Sequence, residues 1–143
     1  ATAEAFAGGW FHSGDLVRMD DEGYVWVVDR KKDMIISGGE NIYCAEVENA
    51  LADHPAIIEV AVIGRAHPKW GEAVLAVVVA RSGEITGPAL ESELVNHVKA
   101  ALGSVPAPKT VLFADELPLN PAGKVDKKAI RKPHWHGQTR QIG

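Results

Sequence analysis

The sequence has 143 residues, of which 46% are hydrophobic and 24% charged, and its net charge is −4. These values are typical of a globular domain, so they exclude a mainly disordered chain, and the length predicts one domain with room for a short appendage. The longest uncharged apolar run, residues 73–80, is far shorter than the roughly 18 residues of a membrane span. We therefore expect no integral membrane segment. A single cysteine, Cys44, excludes an internal disulfide and favours a cytoplasmic location.

The charge is distributed unevenly along the chain. From Asn120 onward, six Lys or Arg residues and one Asp give a net charge of +5, whereas the preceding 119 residues carry −9. A basic segment on an acidic body predicts either an anion site near the C-terminal end or a solvated basic face. The negative total argues against nucleic acid as a partner.

Hydrophobic periodicity and turn residues predict the elements in chain order: short strands at 24–28 and 34–36, a helix at 44–54, strands at 57–63 and 74–79, a helix at 88–102, a strand at 111–113 and a short helix at 126–132. A turn at 20–23 makes the first strand part of a β-hairpin. Residues 64–71 are expected to form a loop. The almost wholly apolar strand 74–79 is expected to lie centrally in a sheet.

This order of elements favours an α+β fold over a doubly wound sheet, because it contains too few strand–helix–strand units for the latter. We expect a small two-layer domain with a central, mostly antiparallel sheet flanked by helices. The short β-hairpin precedes this domain.

Three polar, glycine-containing segments contain residues that could bind a ligand, although each segment alone is also typical of an exposed turn. In the first, residues 9–15 surround Asp15 with glycines, so its carboxylate could accept hydrogen bonds from a ribose diol. In the second, residues 29–41 place three consecutive cations ahead of Gly38 and Gly39. The cations could meet phosphates, and the glycines could let a ligand approach the backbone closely.

The third segment, residues 120–126, places Lys124 on a glycine-containing turn. Its ammonium could reach an anion there, although most lysines are simply exposed. His134 and His136 flank Trp135 and could bind a metal only weakly, because the histidines lack the spacing of a metal site. We expect no metal site in the chain.

Together and in order, the three segments resemble the adenylate-forming enzymes, which include acyl-CoA synthetases, the adenylation domains of nonribosomal peptide synthetases and firefly luciferase. Residues 9–16 are similar to the family's GW-[FY]-x-TGDL segment, and residues 29–41 with 45–48 to its hinge and glycine loop. Residues 118–125 are similar to its C-terminal P-x-x-x-x-GK motif. The form SGGENIY…EVE is most similar to the fatty or aryl acyl-CoA ligases.

The resemblance implies an AMP-forming acyl-CoA ligase. In that reaction a carboxylic acid and ATP give an acyl-adenylate and pyrophosphate, and CoA then displaces AMP to give the acyl-CoA. Residues 1–28 would be the terminal segment of a large N-terminal domain, and residues 29–143 the mobile C-terminal domain. The rest of the N-terminal domain would be the main partner, Mg²⁺ would arrive with ATP without a ligand in this chain, and the chain alone would be inactive.

The resemblance also assigns six site residues by their positions in these motifs: the catalytic Lys124, the ATP- or AMP-binding Asp15 and Arg30, the hinge Lys32, and the CoA-binding Gly38 and Gly39. The sequence departs from the family pattern in three places. Ser13 stands where Thr is commoner, Cys44 stands where Pro is frequent, and residues 105–109 lack a tyrosine–lysine pair.

Two other functions remain open on the sequence. The chain could come from an adenylation domain that loads a carrier protein, or it could be a non-catalytic binding module derived from this domain. The joint presence of Lys124, Asp15 and Arg30 favours an enzyme over the binding module.

Overall fold

The structure is a computed structural model that describes residues 2–138. The chain begins with a short helix, α1 (Thr2–Ala5), followed by a hairpin of two antiparallel strands, β1 (Asp15–Met19) and β2 (Val25–Arg30). Asp20 closes the turn between the strands because its Oδ1 accepts a hydrogen bond of 3.0 Å from the backbone N–H of Tyr24. The predicted β-hairpin is confirmed.

A five-stranded sheet forms the centre of the remaining chain. Its strands are β3 (Ile35–Ser37), β4 (Glu40–Ile42), β5 (Ile57–His67), β6 (Gly71–Ala80) and β7 (Thr110–Phe113). Strand β6 pairs antiparallel with β5 along one edge. Its other edge pairs antiparallel with β3 near its start and parallel with β7 further along. The prediction that the apolar strand 74–79 lies centrally in a mostly antiparallel sheet is confirmed.

Two helices cover one face of this sheet, α2 (Cys44–Ala52) and α3 (Pro88–Leu102). The sequence explains α3: Pro88 suits a first helical turn, where its missing N–H is not needed. Leu94 and Val98 lie four residues apart, so they share one side of the helix. Both side chains are completely buried against the sheet.

The C-terminal segment covers the opposite face. Leu117 and Ile130, the latter in α4 (Lys127–Arg131), pack there against Ile63 and Leu75. The sheet is therefore covered on both faces, by the helix pair on one side and by the segment that carries the lysine-containing turn on the other. The predicted α+β architecture is confirmed, and this second cover adds to the expected two layers.

The prediction of a loop at 64–71 is wrong. Strand β5 continues to His67 and β6 begins at Gly71, so residues 68–70 alone connect them. His67 closes this tight connection because its Nδ1 accepts a hydrogen bond of 3.2 Å from the N–H of Trp70. The two rings also stack, with centroids 4.3 Å apart. The turn-forming residues indicated a loop, but tertiary pairing extends the strands through most of it.

The hairpin at the start of the chain, unlike the central sheet, exposes most of its large apolar side chains. Those exposed by more than half are Val17, Met19, Tyr24, Val25 and Val27, and Trp10 and Phe11, which precede the hairpin, are exposed to a similar extent. Apolar side chains gathered on one exposed element are typical of a surface that contacts another protein segment.

The packing of the second face of the five-stranded sheet can be tested by the same substitution at a buried and at an exposed isoleucine. Ile63→Ala should lower the free energy of unfolding by about 2–5 kcal/mol, because Ile63 has no exposed surface and its loss leaves a cavity. Ile85→Ala is the same substitution at a residue that is 90% exposed, so it should change stability by less than about 0.5 kcal/mol. Urea unfolding followed by circular dichroism measures both. Equal losses for the two variants would contradict the assigned core.

Candidate functional site

The hairpin brings the two predicted nucleotide contacts together. Asp15 at the start of β1 lies opposite Arg30 at the end of β2 in the strand register. The Arg30 Nε and Asp15 Oδ1 atoms are 3.0 Å apart. Arg30 is 58% exposed, and a guanidinium has five N–H donors, so it can donate to a ligand while it holds Asp15 in place.

A three-residue 3₁₀ turn, Lys31–Asp33, forms the connection between the hairpin and the five-stranded sheet. Lys32, the predicted hinge residue, lies at the middle of this turn and is exposed. The turn is closed by a hydrogen bond of 3.2 Å from the Met34 N–H to the Arg30 carbonyl. A short connection between two separate sheets is a place where a change of backbone angles can reorient one relative to the other.

Gly38 and Gly39 form the two-residue turn of the β3–β4 hairpin. Their φ angles are +58° and +86°, and positive φ at both central positions is the geometry that glycine adopts without strain. The Gly38 N–H donates a hydrogen bond of 2.9 Å to the carbonyl of Trp70. A Cβ placed on Gly39 would meet nothing within 4 Å, so the backbone there faces open space.

Gly39 also borders a cavity of about 420 Å³. Trp70 and His67, the stacked pair of the β5–β6 connection, form part of its wall, together with Trp135 from the C-terminal segment. The ammonium of Lys109 lies 5.8 Å from the Trp70 ring centroid. The sequence analysis did not identify Trp70, although a tryptophan among proline, lysine and glycine in an otherwise polar turn was a usable signal.

Lys124 lies on a turn that is closed by several hydrogen bonds. The Oδ1 of Asn120 accepts from the N–H of Ala122 (2.9 Å) and of Lys124 (3.0 Å), and the Asn120 N–H donates to the Lys124 carbonyl at 2.7 Å. Gly123, with φ of +79°, completes the turn. The exposed side chain of Lys124 therefore projects from a fixed backbone.

Two ion pairs attach α4, which follows this turn, to the rest of the domain. Arg131 Nη1 lies 3.0 Å from Asp33 Oδ1, and each side chain is only 14% exposed. Lys127 pairs with Glu48 of α2, whose Oε1 also accepts a hydrogen bond of 2.9 Å from the Val62 N–H in β5. The Arg131–Asp33 pair thus connects α4, the helix that follows the Lys124 turn, with the residue next to the predicted hinge Lys32.

The sequence analysis missed this connection. The available signal was local: Lys127 and Arg131 are four residues apart and therefore share one side of a short helix. Their partners Glu48 and Asp33 lie far away in the sequence, and Asp33 is separated from Arg131 by 98 positions. No local pattern pairs charges over such a distance.

Cys44 lies among these charged groups but does not act as a nucleophile. Burial raises the pKa of its thiol to about 12, and the nearby Asp29, Glu48 and Asp33 add to the rise while Lys127 opposes it. The Sγ–H donates to the Asp33 carbonyl at 2.8 Å. The thiol is therefore neutral at ordinary pH, and the thiolate is the reactive form.

Lys127 remains charged in spite of its environment. Burial alone would lower the pKa of its ammonium, but the neighbouring acids, above all Glu48 with its charge and hydrogen bond and then Asp33, oppose that effect, and the pKa is raised above its ordinary value. The ion pair with Glu48 is therefore present throughout the neutral pH range.

Within residues 2–138, no group of three or more His, Cys, Asp or Glu side chains is placed to hold a metal ion. No helix in the same range has the length and apolar content required to cross a membrane.

This chain is similar in sequence and in structure to known enzymes of one family. Residues 46–124 match the family described as AMP-binding enzyme C-terminal domain. A medium/long-chain-fatty-acid–CoA ligase of Mycobacterium tuberculosis is 49% identical over 99% of this chain and 26% of its own length. A feruloyl-CoA synthase of an Amycolatopsis species is 50% identical over 92% of this chain and 26% of its own.

Solved structures agree with these sequence relatives. An amide bond synthetase from Marinactinospora thermotolerans superposes with a TM-score of 0.80 at 37% identity, over 92% of this chain and 26% of that one. A fatty acyl CoA synthetase of Mycobacterium tuberculosis gives a TM-score of 0.72 at 43% identity, over 96% and 27%. The chain thus spans about a quarter of the length of the relatives it matches.

The contribution of the Arg131–Asp33 ion pair to stability can be tested by substitution. Arg131→Met should lower the free energy of unfolding by about 3–5 kcal/mol, because it leaves the Asp33 carboxylate mostly buried without its partner. Lys128→Met removes a charge from an exposed position of the same helix and should change stability by less than about 0.5 kcal/mol. Chemical unfolding of both variants, of Asp33→Asn and of the double variant Asp33→Asn/Arg131→Met measures the coupling. Additive losses in the double variant would contradict a direct interaction.

Proposed function

Because this chain belongs to the family of AMP-binding enzyme C-terminal domains, we propose that it is the C-terminal part of an ATP-dependent, AMP-forming acyl-CoA ligase. The observation that carries the proposal is the presentation of Lys124 on a hydrogen-bonded turn, attached through α4 to the residue beside the hinge. A cation that serves a reaction centre must be held in a defined position. The turn and the ion pair together provide this.

In the first half-reaction, a carboxylate oxygen of the acid attacks the α-phosphorus of ATP. A new carbon–oxygen–phosphorus linkage forms, and the bond from that phosphorus to the bridging oxygen breaks, releasing pyrophosphate. The Lys124 ammonium stabilises the negative charge that accumulates on the phosphoryl and carboxylate oxygens. Asp15 accepts hydrogen bonds from the ribose hydroxyls, and Arg30 holds Asp15 and contacts the same nucleotide.

In the second half-reaction, the CoA thiolate attacks the carbonyl carbon of the acyl-adenylate, and AMP leaves with the electron pair of the broken bond. We propose that the pantetheine arm passes Gly39, because its backbone faces open space beside a cavity of about 420 Å³. Rotation about Lys32 exchanges the Lys124 turn for this glycine turn at the reaction centre.

We propose that residues 1–28 belong structurally to the large N-terminal domain and that residues 29–143 form the C-terminal domain, of which the part beyond the pivot at Lys32 rotates. The exposed apolar side chains of the hairpin and of the segment before it, where Trp10 is 78% and Phe11 66% exposed, support a cover supplied by the rest of that domain. The match to only about a quarter of each relative also supports it. We assign Mg²⁺, which accompanies ATP, to ligands outside residues 2–138.

We propose that the acid is selected outside this segment. The fatty-acid–CoA ligase and the feruloyl-CoA synthase are named for very different acids, yet they match this chain at 49% and 50% identity. We propose CoA as the acceptor, because both of these relatives are named for CoA. We propose a cytoplasmic location, consistent with the free thiol of Cys44.

The role of Lys124 can be tested on the full-length ligase that carries this segment. Lys124→Ala should slow formation of the acyl-adenylate by about 10²–10³-fold, because one charge-stabilising donor is lost from the reaction centre. Formation of the thioester from a supplied acyl-adenylate should be largely retained. Pyrophosphate exchange and single-turnover thioester assays measure the two steps, with Lys128→Ala as the control. Equal loss of both steps would refute the assignment.

The 143-residue chain by itself should show no ATP–pyrophosphate exchange, because the acid pocket and the triphosphate site lie in the absent domain. The same assay performed with the full-length protein supplies the positive control. If the isolated chain catalysed ATP–pyrophosphate exchange above the level of its Lys124→Ala variant, the assignment of these two sites to another domain would be wrong.

A further inference from the structure

A second cavity, of about 280 Å³, lies between β5 and the segment that follows α4. Its walls bring together Arg65 from the strand and His134 and His136 from that segment. The indole N–H of Trp135 donates a hydrogen bond of 2.9 Å to the carbonyl of Gly64, which attaches the segment to the strand beside the cavity. The polar lining is therefore formed by one guanidinium and two imidazoles held by separate elements.

Arg65, one of the residues that line this cavity, has an unsatisfied donor. Its Nε is buried, and it is the one buried side-chain nitrogen or oxygen within residues 2–138 that has no hydrogen-bond partner. Buried polar groups are nearly always hydrogen-bonded in folded proteins, so an unpaired donor indicates a missing acceptor.

The electrostatics of the cavity indicate that this acceptor is negatively charged. The pKa of His134 is lowered first by burial, and then by the positive charges of Arg65 and His136. These two groups, one from β5 and one from the C-terminal segment, are the charges that act on His134, and neither is an acid. Among residues 2–138, three groups that can carry positive charge thus line one cavity, and none of its lining residues is an acid.

We propose that this cavity binds a phosphate group, with Arg65 donating to its oxygens and the two histidines completing the contact. A guanidinium matches the geometry of phosphate oxygens and can donate two parallel hydrogen bonds. This site is separate from the six residues assigned to the proposed ligase reaction, and its existence does not depend on that function.

Two sources could supply the phosphate group. One is free inorganic phosphate or pyrophosphate. The other is a phosphate of CoA, because this cavity shares Trp135 and Gln138 with the cavity beside Gly39. The chemistry of recognition is the same for both, so the experiment separates them by the probe used.

The test uses the 143-residue chain and NMR detection of the Arg65 Nε–H and histidine ring signals. Sulfate is the first probe because it stays doubly negative across the pH range in which histidine titrates. Sulfate should shift the signals of Arg65, His134 and His136 together, with saturation. Binding should be about tenfold tighter near pH 5.5 than near pH 7.5, because the bound anion raises the pKa of His134 and a proton is taken up on binding.

Variants separate this site from general attraction to a basic segment. Arg65→Gln should abolish the saturable shifts of the two histidines, and Arg65→Lys should weaken them because it keeps the charge but removes the Nε donor. Arg18→Gln, at an exposed position of β1, removes the same charge elsewhere and should leave binding unchanged. Backbone amide spectra confirm that each variant is folded. Unaltered sulfate binding by folded Arg65→Gln, or shifts that never saturate, would overturn the proposal.

Inorganic phosphate, CoA and dephospho-CoA then identify the source. Stronger binding of CoA than of inorganic phosphate, lost with Arg65→Gln, assigns the site to the thiol substrate. Equal binding of the two, also lost with Arg65→Gln, assigns it to free phosphate. Binding of all three that persists in Arg65→Gln would overturn the site itself. None of these measurements requires ligase activity, so failure of the proposed function and failure of this site give different results.

Discussion

The ion pair between Asp33 and Arg131 is the interaction on which the rest of the site depends. It joins residues 98 positions apart, one beside the hinge and one in the helix that follows the Lys124 turn. Both side chains are largely buried, so separating them would leave a charge without water or partner, which is costly. The Lys124 turn is thereby attached to the residue beside Lys32, the proposed hinge.

In the proposed ligase, this constraint would allow a single small domain to serve both chemical steps. The glycine turn belongs to the β3–β4 hairpin, which joins the central sheet through β3, and the lysine turn belongs to the segment that covers the sheet's second face. Because both are attached to the same sheet, rotation about the 3₁₀ turn at Lys31–Asp33 must move them together. In the proposed ligase, the Lys124 turn and the Gly38–Gly39 turn would then reach the reaction centre one after the other, without any rearrangement inside the domain that carries them.

Much of this architecture could be predicted from local sequence. The apolar run in β6 indicated a central strand, the leucine and valine spacing in α3 indicated a helix with one buried side, and the ordered motifs indicated the six site residues. Local patterns were sufficient for the strand and the helix because hydrophobic periodicity can be read from neighbouring residues, whereas the six site residues were assigned through the resemblance to a known family. The family match and the fold confirm the assignment of the chain, while the roles of individual site residues stay predictions.

The rest could not be predicted because it depends on distant partners. Residues 64–71 contain turn formers, yet pairing with β6 makes most of them strand. The Asp15–Arg30 pair follows from hairpin register. The position of Trp70 against Gly38 and the basic cavity around Arg65 arise only when the strand connection and the C-terminal segment are packed onto the sheet.

We propose that the small domain pivots at Lys32 between the two half-reactions. A comparison of both half-reactions in the full-length ligase with and without Lys32→Pro, which restricts the backbone at the pivot, tests this proposal. One half-reaction should keep nearly its original rate while the other slows severely, because the domain is held in one orientation. Unchanged rates for both half-reactions would contradict a pivot at this residue.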